Sequence, residues 1–401
     1  MYKTIANFII TQKKYFWFIL VRILSFLVIG FETFFGPKIV GLEAYGIIEY
    51  EKQLINLSTI FLFGLHTGYS IRYYKSQKKE ESSSFLLSGF FHILIFFGLY
   101  SLISQTFSFG IIVFLLSVLI EQILKIKNKF NLAILFKPIF SIILVIYYLH
   151  YYLYSGKLVS FIFDVNLIYF LAFLFFFLFV RKYVSFNLKK LQLSFENYKL
   201  YFKNGFQPNL TSSLVLILFF VDRFLIEKYY EESLGVYSIA YNFAVISFLI
   251  ASSVGYVTTI KIGEKLNEFD HLKELVTKLM KLSYFYISLV ILFSIPIIYY
   301  INANWFKIEG FEKIALINLI GKTFFGAATF YTSIIYYKNK EYFSWGILLI
   351  VTLLITIADF YIIHFGIGDF IMIQYVSNSL LVIYCILINY VVRKKILKKE
   401  K

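Results

Sequence analysis

The hydrophobic positions of this chain fall into long apolar segments that are separated by short polar stretches, most of them basic. A helix needs about 20 apolar residues to cross a hydrocarbon core of about 30 Å. We count twelve such segments, with eleven or thirteen as alternatives, and so predict an all-α, polytopic membrane protein. The predicted spans are 15–35, 48–70, 85–105, 109–124, 131–153, 158–180, 208–228, 236–259, 282–301, 314–336, 342–364 and 371–391.

The first segment, 15–35, follows Lys13 and Lys14 and therefore has to be compared with a signal peptide. It is too long for the apolar core of a signal peptide, it contains Arg22, and no small-residue cleavage site follows it. We therefore expect a retained first transmembrane helix.

The 39 basic residues are distributed unevenly over the connections between the predicted spans. Most of them lie before the first span, after the last, and in every second loop, whereas each intervening loop holds at most two. Cytoplasmic loops of membrane proteins carry an excess of Lys and Arg. The pattern predicts that both termini are cytoplasmic and that the protein lies in the cytoplasmic (inner) membrane.

Two of the predicted cytoplasmic connections are longer than turns. Residues 181–205 form a natural linker between an N-terminal lobe, 1–184, and a C-terminal lobe, 185–401, each with six spans. In the other connection, 261–281, apolar residues recur at helical spacing among Lys and Glu, which indicates an amphipathic helix on the membrane surface.

An internal repeat supports the division into two lobes. A shift of 189 residues aligns AYGIIEY (44–50) with SLGVYSI (233–239) and places Gly46 on Gly235. Six spans separate the copies, so both would have the same orientation in the membrane, as in transporters built from parallel repeats.

Several predicted spans carry polar residues on one helical face, and these mark candidate functional positions. Asp222 and Arg223 interrupt an apolar run, where each charge costs on the order of 2.5–3.5 kcal/mol to insert. A face that contacted lipid would gain nothing from such residues, so we expect these faces to line a wet, cationic interior. The candidate substrate-binding residues are Arg22, Lys52, Arg223, Lys322 and Asn318.

Structural alternatives remain open for these residues. The alternative role of Asp222 and Arg223 is to lock their helix against its neighbours. The alternative for Arg22 is that its side chain extends to the lipid headgroups. Lys52, Glu32 and Asp359 lie near the predicted outer ends of their helices, where solvated positions are equally reasonable.

The composition excludes several classes of function. Hydrophobic residues make up 60% of the chain and charged residues 15%, which is far more apolar than a soluble domain. Most of the basic residues behind the formal net charge of +16 lie in short clusters between the apolar segments, which points to lipid headgroups and topology, not to nucleic acid. One cysteine and five histidines without metal-ligand spacing predict no disulfide and no metal site.

Three patches give the chain a family resemblance. They are GPKIVGLEAYGIIEY (36–50), VDRFLI followed by LGVYSIAY (221–241), and YKNKE (337–341) with the later loop HFGIGDF (364–370). Together they resemble the Wzx-type polysaccharide flippases of the multidrug/oligosaccharidyl-lipid/polysaccharide (MOP) exporter superfamily. Asn near the end of the eleventh helix and small residues after the last loop are usual in that family. Here those places hold Ala358–Asp359 and Phe370–Ile371.

The resemblance implies a MATE-like fold in which two six-helix lobes surround a central cavity. It also implies the flipping, by alternating access, of a polyprenyl-pyrophosphate-linked oligosaccharide for surface polysaccharide such as O-antigen, lipopolysaccharide or capsule. The coupling would be to a proton or sodium gradient through Asp222 or Glu32, with no other cofactor. The implied partners are the lipid-linked substrate, membrane lipids, and a polysaccharide polymerase with glycosyltransferases.

Two other functions remain as alternatives. A MATE-like small-molecule efflux pump would have a more acidic or aromatic cavity suited to cationic drugs. A membrane enzyme such as an O-antigen polymerase or ligase would need a large outer loop with catalytic residues, and no predicted outer loop has an acid–base constellation. We therefore expect a protein that is not an enzyme and has no catalytic residues.

Overall fold

The computed structural model describes residues 13–76, 82–104, 108–127, 129–153, 161–184, 195–264, 268–338, 340–366 and 368–397. Within those ranges the secondary structure is helical, and no strand occurs. Each of the twelve predicted spans coincides with a helix or a bent pair of helices, so the all-α, polytopic membrane fold is confirmed.

The described chain divides into two compact units, Met1–Leu216 and Ile217–Lys401. The division falls within one long helix, Phe195–Tyr229, and not in the linker predicted at 181–205, of which residues 185–194 lie outside the described part. The lobe boundary at 184/185 stays a prediction. The helices up to this point are α1 Lys13–Val40, α2 Leu42–Leu57, α3 Leu65–Ser76, α4 Ser82–Ser104, α5 Phe109–Ile126, α6 Phe136–Leu153, α7 Phe161–Val180 and α8 Phe195–Tyr229.

The second unit contains the end of α8 and five further helices. Helix α11 (Phe311–Tyr337) lies at its centre. It packs against α9 (Leu234–Glu264), α10 (Phe269–Ile301) and α13 (Phe370–Val391). Gly321 and Gly326 let these neighbours approach, because a Cβ at Gly321 would lie 2.2 Å from Asn378 Oδ1. The helices are α9 Leu234–Glu264, α10 Phe269–Ile301, α11 Phe311–Tyr337, α12 Glu341–Phe365 and α13 Phe370–Val391.

Length and composition identify nine helices in the described ranges that can cross a membrane, or ten with one bent pair, and Asp164–Val180 is a shorter apolar helix. Their surfaces are consistent with lipid contact, since large apolar side chains such as Phe285 and Leu292 are exposed at 64% and 69%. The chain is therefore a multi-pass membrane protein.

The second predicted span, 48–70, is not one continuous helix. Helix α2 ends at Leu57, a short 3-10 turn follows over Ser58–Leu62, and the direction changes by 52° before α3. Phe63 and Gly64 adopt positive φ angles of 44° and 81° at this break. Lys52 is thus on a different helix from His66 and Ser70, although the predicted span placed all three on one helix.

The predicted amphipathic surface helix at 261–281 also differs from the structure. Its first residues continue α9 to Glu264, and from Phe269 onward it is the beginning of the 33-residue helix α10. Residues 265–267 lie outside the described part. The amphipathic pattern arises because both helices are longer than the roughly 20 residues that a bilayer core needs.

Candidate functional site

Each unit buries its own group of charged side chains. In the first unit, Lys52 on α2 contacts the carboxylates of Glu32 on α1 and Glu49, three residues earlier on its own helix. Both carboxylates are 1% exposed. We call Glu32, Glu49 and Lys52 the acidic triad, because it holds two acids and one base.

Aromatic side chains enclose the acidic triad. The Lys52 ammonium lies 5.7 Å from the centroid of the Phe140 ring on α6, and the Tyr169 hydroxyl on α7 is 3.5 Å from the Lys52 carbonyl oxygen. This arrangement corrects the expectation that Lys52 adds positive charge to a cationic interior. The lysine is neutralised by its two partners, and sequence reasoning missed Glu49 although it precedes Lys52 by one helical turn.

In the second unit, α8, α11, α12 and α13 bring a larger set of polar side chains together. Asp222 on α8 accepts hydrogen bonds from Ser377 Oγ at 2.7 Å and from Gln374 Nε2 at 3.3 Å. Asn318 Nδ2 on α11 donates to Gln374 Oε1 at 3.0 Å, and Ser377 Oγ is 3.4 Å from Asp359 Oδ2. We call Asp222, Asn318, Asp359, Gln374 and Ser377 the polar network of the second unit.

The local sequence explains why α13 presents these groups together. Gln374 and Ser377 are three residues apart, so they share one face of the helix. The Asp369 side chain caps the N-terminus of α13 by accepting from the Ile371 and Met372 amides at 3.1 and 3.3 Å. The polar face of α13 therefore starts one turn after a well-defined helix beginning.

Arg223 and Lys322 both lie close to one aromatic ring. The Tyr241 ring centroid is 4.8 Å from Arg223 Cζ and 5.0 Å from Lys322 Nζ, and Lys322 is also 4.0 Å from the centroid of Phe219. Arg223 further stacks on Tyr237 at 5.5 Å and is completely buried. This packing favours the locking role for Arg223 over direct contact with a substrate.

Lys322 is the least compensated charge of the predicted set. It is 4% exposed, and its ammonium forms no hydrogen bond and no ion pair with any residue that the structure describes. The carboxylate of Asp222 acts on it electrostatically without forming an ion pair. A buried ammonium held only by aromatic faces and a more distant carboxylate is suited to receiving an anionic ligand.

The structure thus groups the predicted residues in two places. Glu32 and Lys52 meet in the acidic triad, while Asp222, Asn318 and Lys322 meet in or beside the polar network. The side chain of Arg22 lies outside the described part. Asp359 is 0% exposed, so it is not at a solvated helix end. Sequence reasoning missed Gln374, Ser377 and Asn378, because neutral polar residues give only a weak signal in a helix that is otherwise apolar.

The described residues contain no group of three or more His, Cys, Asp or Glu side chains that could hold a metal ion. Carboxylate, amide and hydroxyl oxygens are instead the main polar atoms of the network. Such oxygens suit a hard monovalent cation or a proton more than a transition metal.

Comparison with solved structures identifies the fold. The lipid II flippase MurJ in an inward closed conformation is similar over 94% of this chain and 87% of that chain, with 16% identity and a TM-score of 0.70. Multidrug resistance MATE family transporters of the MOP superfamily are also similar. An outward-facing structure has 15% identity, a TM-score of 0.60 and coverage of 97% and 95%. An inward-facing one has 15% identity, a TM-score of 0.62 and coverage of 95% and 96%.

No family model and no curated protein matches the sequence. The similarity to MurJ and the MATE transporters therefore concerns the fold, which both the lipid flippase and the multidrug transporters share with this chain.

Proposed function

We propose that this protein is a Wzx-type flippase of the MOP superfamily that moves a polyprenyl-pyrophosphate-linked oligosaccharide across the cytoplasmic membrane by alternating access. The fold supports a transporter of this kind, since the chain shares it with a lipid flippase and with transporters seen in inward- and outward-facing conformations. The observation that carries the choice of an anionic substrate is the buried Lys322, whose ammonium has no hydrogen bond and no ion pair among the described residues.

The environment of Lys322 is favourable for a phosphate and unfavourable for a cation. The ring faces of Phe219 and Tyr241 stabilise the ammonium without neutralising it, and Arg223 adds a second positive charge beyond Tyr241. A pyrophosphate oxygen would form a charge-assisted hydrogen bond with Lys322. Asn318, one helical turn away, already donates to the Ile314 carbonyl and to Gln374, so it would support this site without contacting the sugar.

The coupling ion would bind at the two carboxylates of the polar network. The Ser377 hydroxyl has one proton to donate. Its oxygen lies 2.7 Å from Asp222 Oδ1 and 3.4 Å from Asp359 Oδ2, so Asp222 is the closer acceptor. Asp359 Oδ1 has no hydrogen-bond partner among the described residues. A proton or a monovalent cation on Asp359 would neutralise its charge and so reduce the repulsion between the two acids.

Such binding would couple the ion to the substrate by charge. With Asp222 and Asp359 both ionised, the two acids balance Arg223 and Lys322. When one acid is neutralised, the group gains a net positive charge and attracts pyrophosphate more strongly. Glu32 in the acidic triad remains the second candidate for carrying the ion.

A small-molecule efflux pump is the second candidate function, and one observation favours it. The acidic triad has an excess of one carboxylate, as a site for a cationic drug would require, and the fold is shared with multidrug transporters. We propose the flippase first because the triad's acids are already engaged by Lys52, whereas Lys322 has no such partner.

Reconstitution separates these candidates. Proteoliposomes that contain a fluorescent polyprenyl-pyrophosphate trisaccharide are treated with an impermeant quencher, and ethidium uptake is measured in parallel vesicles. The flippase proposal predicts faster loss of protected fluorescence than in empty vesicles and no ethidium transport. Ethidium transport without movement of the lipid-linked sugar would establish the efflux pump instead.

The remaining features follow from the proposal. A transporter of this kind would work beside glycosyltransferases and a polymerase, would not itself be an enzyme, and would have cytoplasmic termini. Reporter fusions at each terminus test the topology, and genes for those enzymes next to its own would support the assignment to surface polysaccharide synthesis.

A further inference from the structure

A cavity of about 290 Å³ lies in the second unit between α10, α11 and α13, away from the polar network. Its walls are mainly apolar and include Ile287, Phe324, Ala327, Ala328 and Ile386. Its volume is near the lower end of the range of ligand pockets, roughly 300–1,000 Å³. The cavity can therefore hold a slender apolar group.

The rim of this cavity opens toward the surroundings of the protein. Ile386 and Tyr390 are both 58% exposed, and Tyr284 is 45% exposed, on helix surfaces that are otherwise apolar. In a membrane protein such a surface faces the hydrocarbon. An occupant would enter sideways from the bilayer.

One end of the cavity is polar and basic. Asn389 Nδ2 donates to the Tyr284 and Tyr331 hydroxyl oxygens at 2.8 and 3.4 Å, and the Arg393 guanidinium carbon lies 6.0 Å from the Tyr284 ring centroid. Lys394 completes this end. The two exposed cations stand just beyond an otherwise apolar lining.

The backbone places these cations at the mouth. After α13 the chain continues as a π-helical turn over Val392–Ile396, which contains both Arg393 and Lys394. π-helical turns are rare and occur frequently at functional sites. The lining positions on α13 and on this turn, 385–386, 389–390 and 393–394, recur every four residues. The apolar wall, the hydrogen-bonding rim and the basic mouth therefore follow one helical face.

We infer that this cavity binds an anionic phospholipid of the surrounding leaflet, with part of an acyl chain between α10, α11 and α13 and the phosphate against Arg393 and Lys394. The change from apolar to basic sequence at the end of α13 marks the membrane interface, where lipid phosphates lie. Because the rim is laterally open, this ligand is a membrane lipid and not a soluble phosphate. The site is independent of what the protein transports.

Native mass spectrometry of the delipidated protein tests the inference. Phosphatidylglycerol and phosphatidylcholine are titrated into wild type, the double variant Arg393→Gln/Lys394→Gln, and the control Lys395→Gln. Lys395 is an exposed cation of the same turn that does not line the cavity. We expect preferential retention of phosphatidylglycerol, a loss on the order of 20-fold in the double variant, and wild-type binding in the control.

A cavity-filling variant, Ala328→Phe, should abolish retention with the basic residues intact. If this variant does not fold, the charge variants at exposed positions still decide the question. Equal retention of both lipids would show that Arg393 and Lys394 do not select an anionic headgroup and would overturn the inference. An equal loss in Lys395→Gln would reduce the site to general surface basicity and would overturn it too. Binding of polyprenyl phosphate with no binding of phosphatidylglycerol would assign the cavity to a substrate tail and overturn the inference.

Discussion

The acidic triad allows a quantitative prediction about stability. Lys52→Met removes the ammonium that contacts both Glu32 and Glu49 and leaves the two buried carboxylates without it. Both carboxylates are 1% exposed, so solvent cannot replace the lost ammonium. Breaking a buried ion pair by removing one partner costs about 3–5 kcal/mol.

The size of the first unit determines how far this loss of free energy lowers the unfolding temperature. For a unit of roughly 200 residues, each kcal/mol lowers the unfolding temperature by about 2–4 °C. Lys52→Met should therefore unfold on the order of 10 °C below wild type. Fluorescence-detected thermal unfolding in a fixed detergent measures this shift.

Two further variants give the control and the rescue. Lys125 forms an ion pair with Glu121 at 3.5 Å, but its side chain is 38% exposed, so Lys125→Met should cost about 0–1 kcal/mol. Adding Glu49→Gln to Lys52→Met removes the repulsion between the acids and should restore part of the loss. Unfolding of Lys52→Met at the temperature of Lys125→Met, or no rescue by Glu49→Gln, would refute the reasoning.

Three other predictions concern the first unit and the topology. Gly68→Ala should sharply lower the folded fraction in size-exclusion chromatography, since its Cβ would lie 1.8 Å from the Tyr201 carbonyl oxygen, while Gly98→Ala, with nothing within 4 Å, should behave as wild type. His92→Phe removes the hydrogen bond of 2.7 Å to the Phe61 carbonyl at the helix break. It should lower the free energy of unfolding by about 1–3 kcal/mol, and a wild-type unfolding temperature would contradict that role. Alkaline phosphatase fused after residue 401 should be inactive because that end is predicted to be cytoplasmic, and activity there would reverse the orientation.

The segments of the fold were predictable from sequence because the bilayer requires helices of a fixed apolar length. The break in the second span was not, because it depends on Phe63 and Gly64 in left-handed conformations and on a close contact between Gly64 and Gly205, 141 residues later. No local pattern of hydrophobic residues reports that contact. The sequence pattern also does not show that the amphipathic start of α10 continues into the membrane-spanning part of the same helix, so it predicted a separate helix there.

The candidate site was only partly predictable. Asp222, Asn318 and Lys322 stand out in sequence because charged and amide groups are costly inside a membrane. Their partners on α13 were missed because Ser377 carries little such cost, and because Gln374, an amide like Asn318, lies in a predicted span without a charged residue to draw attention to it. The sequence also does not show which charges meet, so Lys52 was expected to be an exposed cation of a cavity when it is the shared partner of two glutamates.

The most direct test of the central claim is the flipping rate of Lys322→Gln in proteoliposomes with the fluorescent polyprenyl-pyrophosphate trisaccharide. The control is Lys313→Gln, which removes an exposed cation from the same helix. Loss of a charge-assisted bond to phosphate, about 1.5–3 kcal/mol, predicts a rate reduced roughly 10- to 150-fold, with partial recovery in Lys322→Arg. Equal rates for Lys322→Gln, Lys313→Gln and wild type would contradict the account.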